Sequence, residues 1–327
     1  MDNIQPLLSI VICTFNRCEL LKSAIKSCID QTAEKSLFEI IVIDNNSTDQ
    51  TQLICQNYES FGVKYFLEKE QGLSSARNAG YKVASGDYIG YLDDDAIAEI
   101  NWASKAIKII KDQYPDAFGG PIFPLYLNQK PEWFKDEYEI RMHQDFTGWL
   151  AKSNYLSGSN MFFRKSILEE FGGFNKTLGM KGSDLAYGEE TELIIKMHKA
   201  DKKVFYDQEL TVNHLVPEFK QNLSYFIYKQ IEQAQLAAKL SPTSSFYDPL
   251  SEIIEYIKTI DSISLNFKQA YINHDKIENS VIEKILTYIS KLIIHNEKVK
   301  NNYLGKRRFK DKILDMNLRK LLHAIKK

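Results

Sequence analysis

The sequence predicts an α/β protein: a mostly parallel, Rossmann-like sheet flanked by helices, followed by an all-helical C-terminal region. Three observations carry this expectation. Short apolar runs rich in Ile and Val alternate with segments of helical periodicity over the first two-thirds of the chain. Those runs end in polar residues, and sheets of this kind bind ligands beyond the carboxyl ends of their strands. From about residue 220 the strand pattern stops and only helical apolar stripes continue. At 327 residues, one large domain over 1–220 plus a helical region over 221–327 is expected.

The run LLSIVICTF (7–15) has the near-continuous apolar character of a strand buried on both faces. It closes on Thr14, Phe15, Asn16 and Arg17, and a helical pattern follows through Leu20, Leu21, Ala24, Ile25 and Cys28. Residues 39–51 repeat the format: a strand ending in Asp44, then a polar turn where Ser47 or Thr48 could cap a helix. VKYFLE (63–68) reads as a third strand. The stretch QGLSSARNAGYKVASGDYIGYLDDD then gives a loop, a helix over 73–85 with Arg77 and Asn78 in its early turns, and a strand through Tyr88–Leu92. That strand delivers Asp93, Asp94 and Asp95. Two unit charges about 4 Å apart repel by roughly 4 kcal/mol at an effective dielectric near 20. Solvent, positive side chains or a bound cation must compensate such a cluster. A solvated acidic turn is the plain alternative. The cation, amide and strand-end polar groups gathered nearby point instead to a divalent ion holding a diphosphate, as in the donor site of a nucleotide-sugar enzyme.

Other classes are excluded on specific grounds. The first turn, CTFNR, has no GxGxxG and the chain has no GxxxxGK[ST], so phosphates must be held by side chains or a metal. A net charge of −1 argues against a dedicated nucleic-acid binder. Cys13, Cys18, Cys28 and Cys55 form no CxxC pair, which suits a reduced cytoplasmic setting without structural zinc. The opening residues lack the features of a signal peptide, and no run approaches the ~20 apolar residues of a membrane helix.

Beyond the aspartates, residues 101–113 form an amphipathic helix pattern and AFGGPIF reads as a strand. NQKPEWFKDEY (128–138) is a polar loop exposing Trp133 and Phe134, which either stack on a sugar face or anchor the loop. A strand over Asn160–Arg164 leads into a helix stopped by Gly172 and Gly173. A further helix, over 186–200, starts at Gly188-Glu189-Glu190. Carboxylates there either complement the helix dipole or serve as a general base. Residues 203–217 give two short strands with His214 just after the last, as a structural histidine or a ligand. The C-terminal region carries apolar stripes at 253–260 and 282–293, then eleven Lys/Arg against three acidic residues over 297–327. This last segment either docks on a membrane surface or partner, or packs on the two preceding stripes.

In this order and spacing, SIVICTFNR, IIVIDNNSTD, GLSSARNAG, YLDDDA, GSNMFFR, GGFN and GEETEL resemble the family 2 inverting glycosyltransferases of GT-A fold. The resemblance covers about residues 7–217. It implies transfer of a sugar from a nucleoside-diphosphate sugar, UDP-sugars favoured, to a hydroxyl of a glycan or lipid-linked acceptor, with Mn2+ or Mg2+ as cofactor. Surface polysaccharide synthesis, with the enzyme on or near the inner face of the membrane, is the setting expected. The resemblance assigns Thr14, Asn16, Arg17, Asp44, Arg77, Asp93 and Asp94 to the nucleotide sugar and Asp95 to the metal. His214 joins the metal in the pattern of some members. Trp133 and Asn160 are expected near the acceptor or sugar. The family's base is usually the Asp of a Glu-Asp pair; here the pair is Glu189-Glu190, so Glu190 aligns with the base and is one methylene longer. A nucleotidyltransferase would require a glycine-rich first loop with a lysine, absent here. A non-catalytic sugar-binding scaffold would not need Glu190 and the full aspartate cluster together.

Overall fold

The computed structural model describes residues 5–132, 134–181, 188–221 and 225. The chain divides into two compact units, Met1–Gln129 with Lys135–Pro217, and Lys130–Phe134 with Glu218–Lys327. Of the second unit, the described part includes one 3-10 turn, Glu218–Gln221. The predicted helical stripes, the basic segment 297–327 and Trp133 lie outside the described residues.

The first unit opens with the predicted alternation. Strand β1 (Leu8–Thr14) leads through α1 (Cys18–Ile29) to β2 (Phe38–Asp44), and α2 (Thr51–Gln56) leads to β3 (Val63–Leu67). Helix α3 (Leu73–Val83) then precedes β4 (Tyr88–Asp93), short β5 (Ala96–Ala98) and α4 (Trp102–Gln113). The segment AFGGPIF, expected as one strand, forms two: β6 (Ala117–Gly119) and β7 (Ile122–Leu125). The break falls at Gly120, where a Cβ would stand 2.1 Å from the Leu210 carbonyl oxygen, so only glycine fits. The unit ends with β8 (Gly148–Trp149), β9 (Met161–Arg164), α5 (Lys165–Phe171), α6 (Glu189–Lys199), β10 (Val204–Tyr206) and β11 (Val212–Leu215).

The main sheet has eight strands in the order β3-β2-β1-β4-β9-β6-β10-β8. Its N-terminal half, β3 to β4, is parallel as predicted. The remainder is mixed, because β9 runs antiparallel to both β4 and β6 and β8 runs antiparallel to β10. Side chains alternate across the central strands. Leu8, Ile10 and Ile12 of β1 face one core with Leu21, Ile25 and Trp102. Val11, Ile41 and Ile43 face the other with Ala76, Tyr91, Leu193 and Ile194. Each such aliphatic side chain contributes about 1.5–3 kcal/mol when fully buried, and that total offsets the cost of collecting carboxylates at the sheet's end.

Register places those carboxylates. Thr14 lies level with Asp44 across β1 and β2, and Cys13 lies level with Asp93 across β1 and β4. A second, three-stranded sheet, β5-β11-β7, sits where the chain leaves the aspartates. Within it β11 is antiparallel to β5 and parallel to β7. His214 is therefore inside a strand, paired with Ala96, and not after one as the sequence suggested. Among the described residues no helix is long and apolar enough to cross a membrane.

Candidate active site

The strand ends of the parallel half converge. Asp44, buried at the end of β2, accepts a hydrogen bond from the Ser47 amide (2.8 Å) and another from the Tyr65 hydroxyl (2.9 Å). Asn16 adopts a left-handed conformation (φ 54°), and its side-chain oxygen accepts the Thr48 N–H at 2.7 Å. This ties the loop after β1 to the loop after β2. Asp49, not Ser47 or Thr48, takes the Thr51 N–H at the start of α2.

The three aspartates are each partnered differently. Asp94 is buried; it accepts the Thr14 hydroxyl at 2.7 Å and faces the Arg17 guanidinium at 3.1 Å. Burial pushes its carboxyl up to about 7; Arg17 opposes that shift and the Asp95 charge adds to it. The same Arg17 nitrogen lies 3.0 Å from Asp95 Oδ2. Asp95 Oδ1 lies 3.0 Å from His214 Nε2, and Asp93 Oδ2 lies 3.9 Å from it. Pairing of β11 with β5 explains the approach: Leu215 donates its amide to the Asp95 carbonyl at 2.7 Å, next to the His214–Ala96 register pair. His214 Nδ1 is 3.1 Å from the Leu215 carbonyl oxygen. A carbonyl only accepts, so Nδ1 is the donor of that hydrogen bond, and Nε2 is the ring nitrogen turned to the carboxylates. Asp93, Asp95 and His214 each offer a ligand atom within 4.8 Å of the others. Two carboxylates and one imidazole nitrogen are a donor set that fits a divalent cation, and the hydrogen bond from Nδ1 to the Leu215 carbonyl fixes the ring.

Arg77 joins this cluster to the start of α6. It is 2% exposed, with Nη1 2.6 Å from Glu189 Oε1 and Nη2 3.4 Å from Asp93 Oδ1. Burial works against its charge, but the Glu189, Asp93 and Glu190 carboxylates outweigh it and raise its pKa. The loop before β9 is shaped around this guanidinium. A Cβ at Gly158 would stand 2.6 Å from Arg77 Nη2, and Ser159 Oγ accepts the Asp93 amide at 3.3 Å. Helix α6 begins behind Gly188, whose φ of 104° turns the chain so that Glu189 and Glu190 lead the first turn. Oε2 of each glutamate is shut off from solvent and has no hydrogen-bond partner among the described residues. Burial and the adjacent Glu189 raise the Glu190 carboxyl to about 8, against the pull of Arg77. A carboxylate of that basicity can take a proton from a hydroxyl near neutral pH.

Some expected site residues stand elsewhere. Arg77, expected on the nucleotide, has its guanidinium committed to Glu189 and Asp93. Asn78 pins the turn after α5, exchanging two hydrogen bonds of 2.8 Å with the Phe174 backbone. Asn160, expected near acceptor or sugar, is fully buried; it accepts the Trp102 indole N–H and donates to the Pro121 and Leu210 carbonyls. That correction has a simple cause. The residue opens a central strand, where a buried amide must spend its polar atoms on protein partners. Phe134, one of two aromatics expected either to stack on a sugar or to anchor its loop, is buried. Glu192, in the same first turn of α6, is partly buried and pairs with Lys196. Ser159, Gly158 and Tyr65 were not foreseen; each acts through a contact remote in sequence, and only the small-residue run LSGSN hinted at a close approach.

A sequence model for glycosyl transferase family 2 matches residues 9–172, half of the chain. The chain is a family 2 glycosyltransferase. The matched span holds β1 to α5, including all three aspartates and Arg77, while Glu189, Glu190 and His214 lie beyond it. This glycosyltransferase is 26% identical over 238 residues to a glucosyl-dolichyl phosphate glucuronosyltransferase of Haloferax volcanii, covering 69% of this chain and 74% of that one. It is 31% identical over 209 residues to the GalNAc(5)-diNAcBac-PP-undecaprenol beta-1,3-glucosyltransferase of Campylobacter jejuni, covering 62% of each. Two solved structures share the fold. Residues 1–349 of S. aureus TarS, in complex with UDP, align with a TM-score of 0.53 at 17% identity, covering 92% of each chain. The mannosyltransferase PcManGT from Pyrobaculum calidifontis, in complex with GDP-Man and Mn2+, aligns with a TM-score of 0.55 at 14% identity. That alignment covers 97% of this chain and 80% of the other. The large α/β sheet expected of a GT-A enzyme is thus the fold observed.

Proposed function

We propose that this enzyme is a metal-dependent, inverting glycosyltransferase. It moves a sugar from a nucleoside-diphosphate sugar, UDP-sugars favoured, to a hydroxyl of a glycan or lipid-linked acceptor in surface polysaccharide synthesis. One observation carries the reading: a single buried guanidinium, Arg77, contacts both the aspartate cluster and the glutamate pair. The candidate cation site and the glutamate pair thus meet at one side chain, which gathers a leaving-group site and a base into one cluster.

Asp93, Asp95 and His214 would hold the ion, and a bound Mn2+ or Mg2+ would supply charge neutralisation to the departing diphosphate. Thr14, Asn16, Arg17, Asp44 and Asp94 line the strand ends where the nucleotide would rest. Glu190 accepts the proton of the acceptor hydroxyl, and its raised basicity suits that role near neutral pH. Glu189, fixed on Arg77, keeps the start of α6 in place, and its charge raises the basicity of Glu190. The freed oxygen attacks the anomeric carbon opposite the leaving group, so configuration inverts. The acceptor class rests on the relatives named for undecaprenol and dolichyl phosphate substrates. On this reading the enzyme works at the inner membrane face, where residues 297–327 meet anionic lipid.

The test is nucleoside diphosphate release from a panel of UDP-, GDP- and dTDP-sugars, with Mn2+ and with chelator, and NMR of the product's anomeric proton. Release that needs Mn2+ and gives inverted product is expected. Retention of configuration, or equal rates in chelator, would refute the mechanism.

A further inference from the structure

The two carboxylates facing His214 share a feature: each has its second oxygen held by an arginine. Asp95 turns Oδ1 to His214 Nε2 (3.0 Å) and Oδ2 to Arg17 Nη1 (3.0 Å). Asp93 turns Oδ2 to His214 Nε2 (3.9 Å) and Oδ1 to Arg77 Nη2 (3.4 Å). The arginines are themselves anchored. Arg77 is held by Glu189 at 2.6 Å, and Arg17 by Asp94 at 3.1 Å, which the Thr14 hydroxyl fixes in turn. Neither aspartate can swing both oxygens toward one ion without giving up a charge-assisted hydrogen bond. This matters because divalent cations differ in what they ask of a carboxylate. Ca2+ takes six to eight oxygens in loose geometry, often through bidentate carboxylates, whereas the smaller octahedral ions take single oxygens.

We propose that Arg17 and Arg77 are positioning residues that restrict Asp95 and Asp93 to one oxygen each, and so select Mn2+ or Mg2+ over Ca2+. The inference rests on the metal-site reading above and adds its selectivity.

Arg17 is the member to test, since its side chain is one-third exposed and it is not sandwiched in the core as Arg77 is. Full-length enzyme and the variants Arg17→Gln and Arg17→Met are compared; either suffices if the other does not fold. Mn2+ binding is followed by the electron paramagnetic resonance of the free ion, with Ca2+ as competitor, so no turnover is needed. Removing a cation beside the site raises affinity for both ions, so the ratio of affinities is what is read. The wild type is expected to favour Mn2+ strongly. In the variants the ratio should fall by about tenfold, the worth of one charge-assisted hydrogen bond, as Asp95 becomes free to chelate Ca2+ with both oxygens. A wild type that binds no Mn2+ would overturn the metal-site reading, and this inference with it. Mn2+ binding with equal affinity for Ca2+, or with an unchanged ratio in the folded variants, would overturn the inference alone.

Discussion

Replacing Arg77 by Met tests whether the buried pair with Glu189 holds the site together. Both side chains are almost completely buried, 3% and 5% exposed, and their closest atoms are 2.6 Å apart. Methionine keeps much of the volume and removes the charge. Glu189 is then left in a dry environment without its counter-ion, and breaking a buried pair from one side costs about 3–5 kcal/mol. A unit of this size loses roughly 2–4 °C per kcal/mol, so melting should fall by about 6–20 °C. The double variant Arg77→Met with Glu189→Met removes both charges, and pairs replaced this way by apolar groups are near neutral or better. It should recover most of the loss. Differential scanning calorimetry on both variants, in one buffer near pH 7, gives the comparison. A single variant losing less than about 1 kcal/mol, or a double variant no better than the single, would show that the pair is not the anchor argued here.

Four further outcomes are expected. Glu190→Gln should leave donor binding intact by calorimetry while lowering kcat by about 10²–10⁴-fold, with Glu189→Gln as the comparison; a larger kcat loss at Glu189 would reverse their roles. Because the Glu190 carboxyl is raised to about 8, kcat/KM should climb with pH up to that region, and folded stability should fall over the window from its ordinary range to about 8, since the native state keeps a proton the unfolded chain has released. Glu190→Gln should flatten both profiles, and unchanged profiles would discount the shift. Asp95→Ala should abolish Mn2+-dependent UDP binding in titration calorimetry; unchanged affinity would remove Asp95 from the metal site. Full-length enzyme should float with anionic liposomes more than a 1–296 truncation does, and equal, negligible flotation of both would sink membrane docking by the basic segment.

How far the sequence could be read follows from where its information is local. The parallel strands were legible because burial on both faces leaves near-continuous apolar runs, and the aspartates because three adjacent charges need an explanation. The direction of β9 was not legible. MFFR between core faces looks the same whichever way it runs, and only its pairing with β4 and β6 reveals the reversal. Arg77 was legible as important but not in its role, since its main partner lies 112 residues away. Asn160 shows the converse error: a polar residue at a strand boundary looks like a ligand contact until its three hydrogen bonds to protein groups are seen. His214 stood as an isolated histidine in the sequence; the β5–β11 pairing is what brings it to the aspartates.

That pairing also has a meaning for the order in which the protein is made. β1 to β4 and the aspartates leave the ribosome early, while both cores they face are completed by later side chains such as Phe162 and Phe205 on one side and Leu193 and Ile194 on the other. The imidazole arrives only with β11, the last strand of the first unit, and Glu189 and Glu190 only shortly before it. A nascent or truncated chain ending before Val212 therefore carries a nearly complete sheet with two of the three clustered ligands and no strand to register the third. If Asp93, Asp95 and His214 hold an ion as proposed, its capture waits until the first unit has been synthesised to its end.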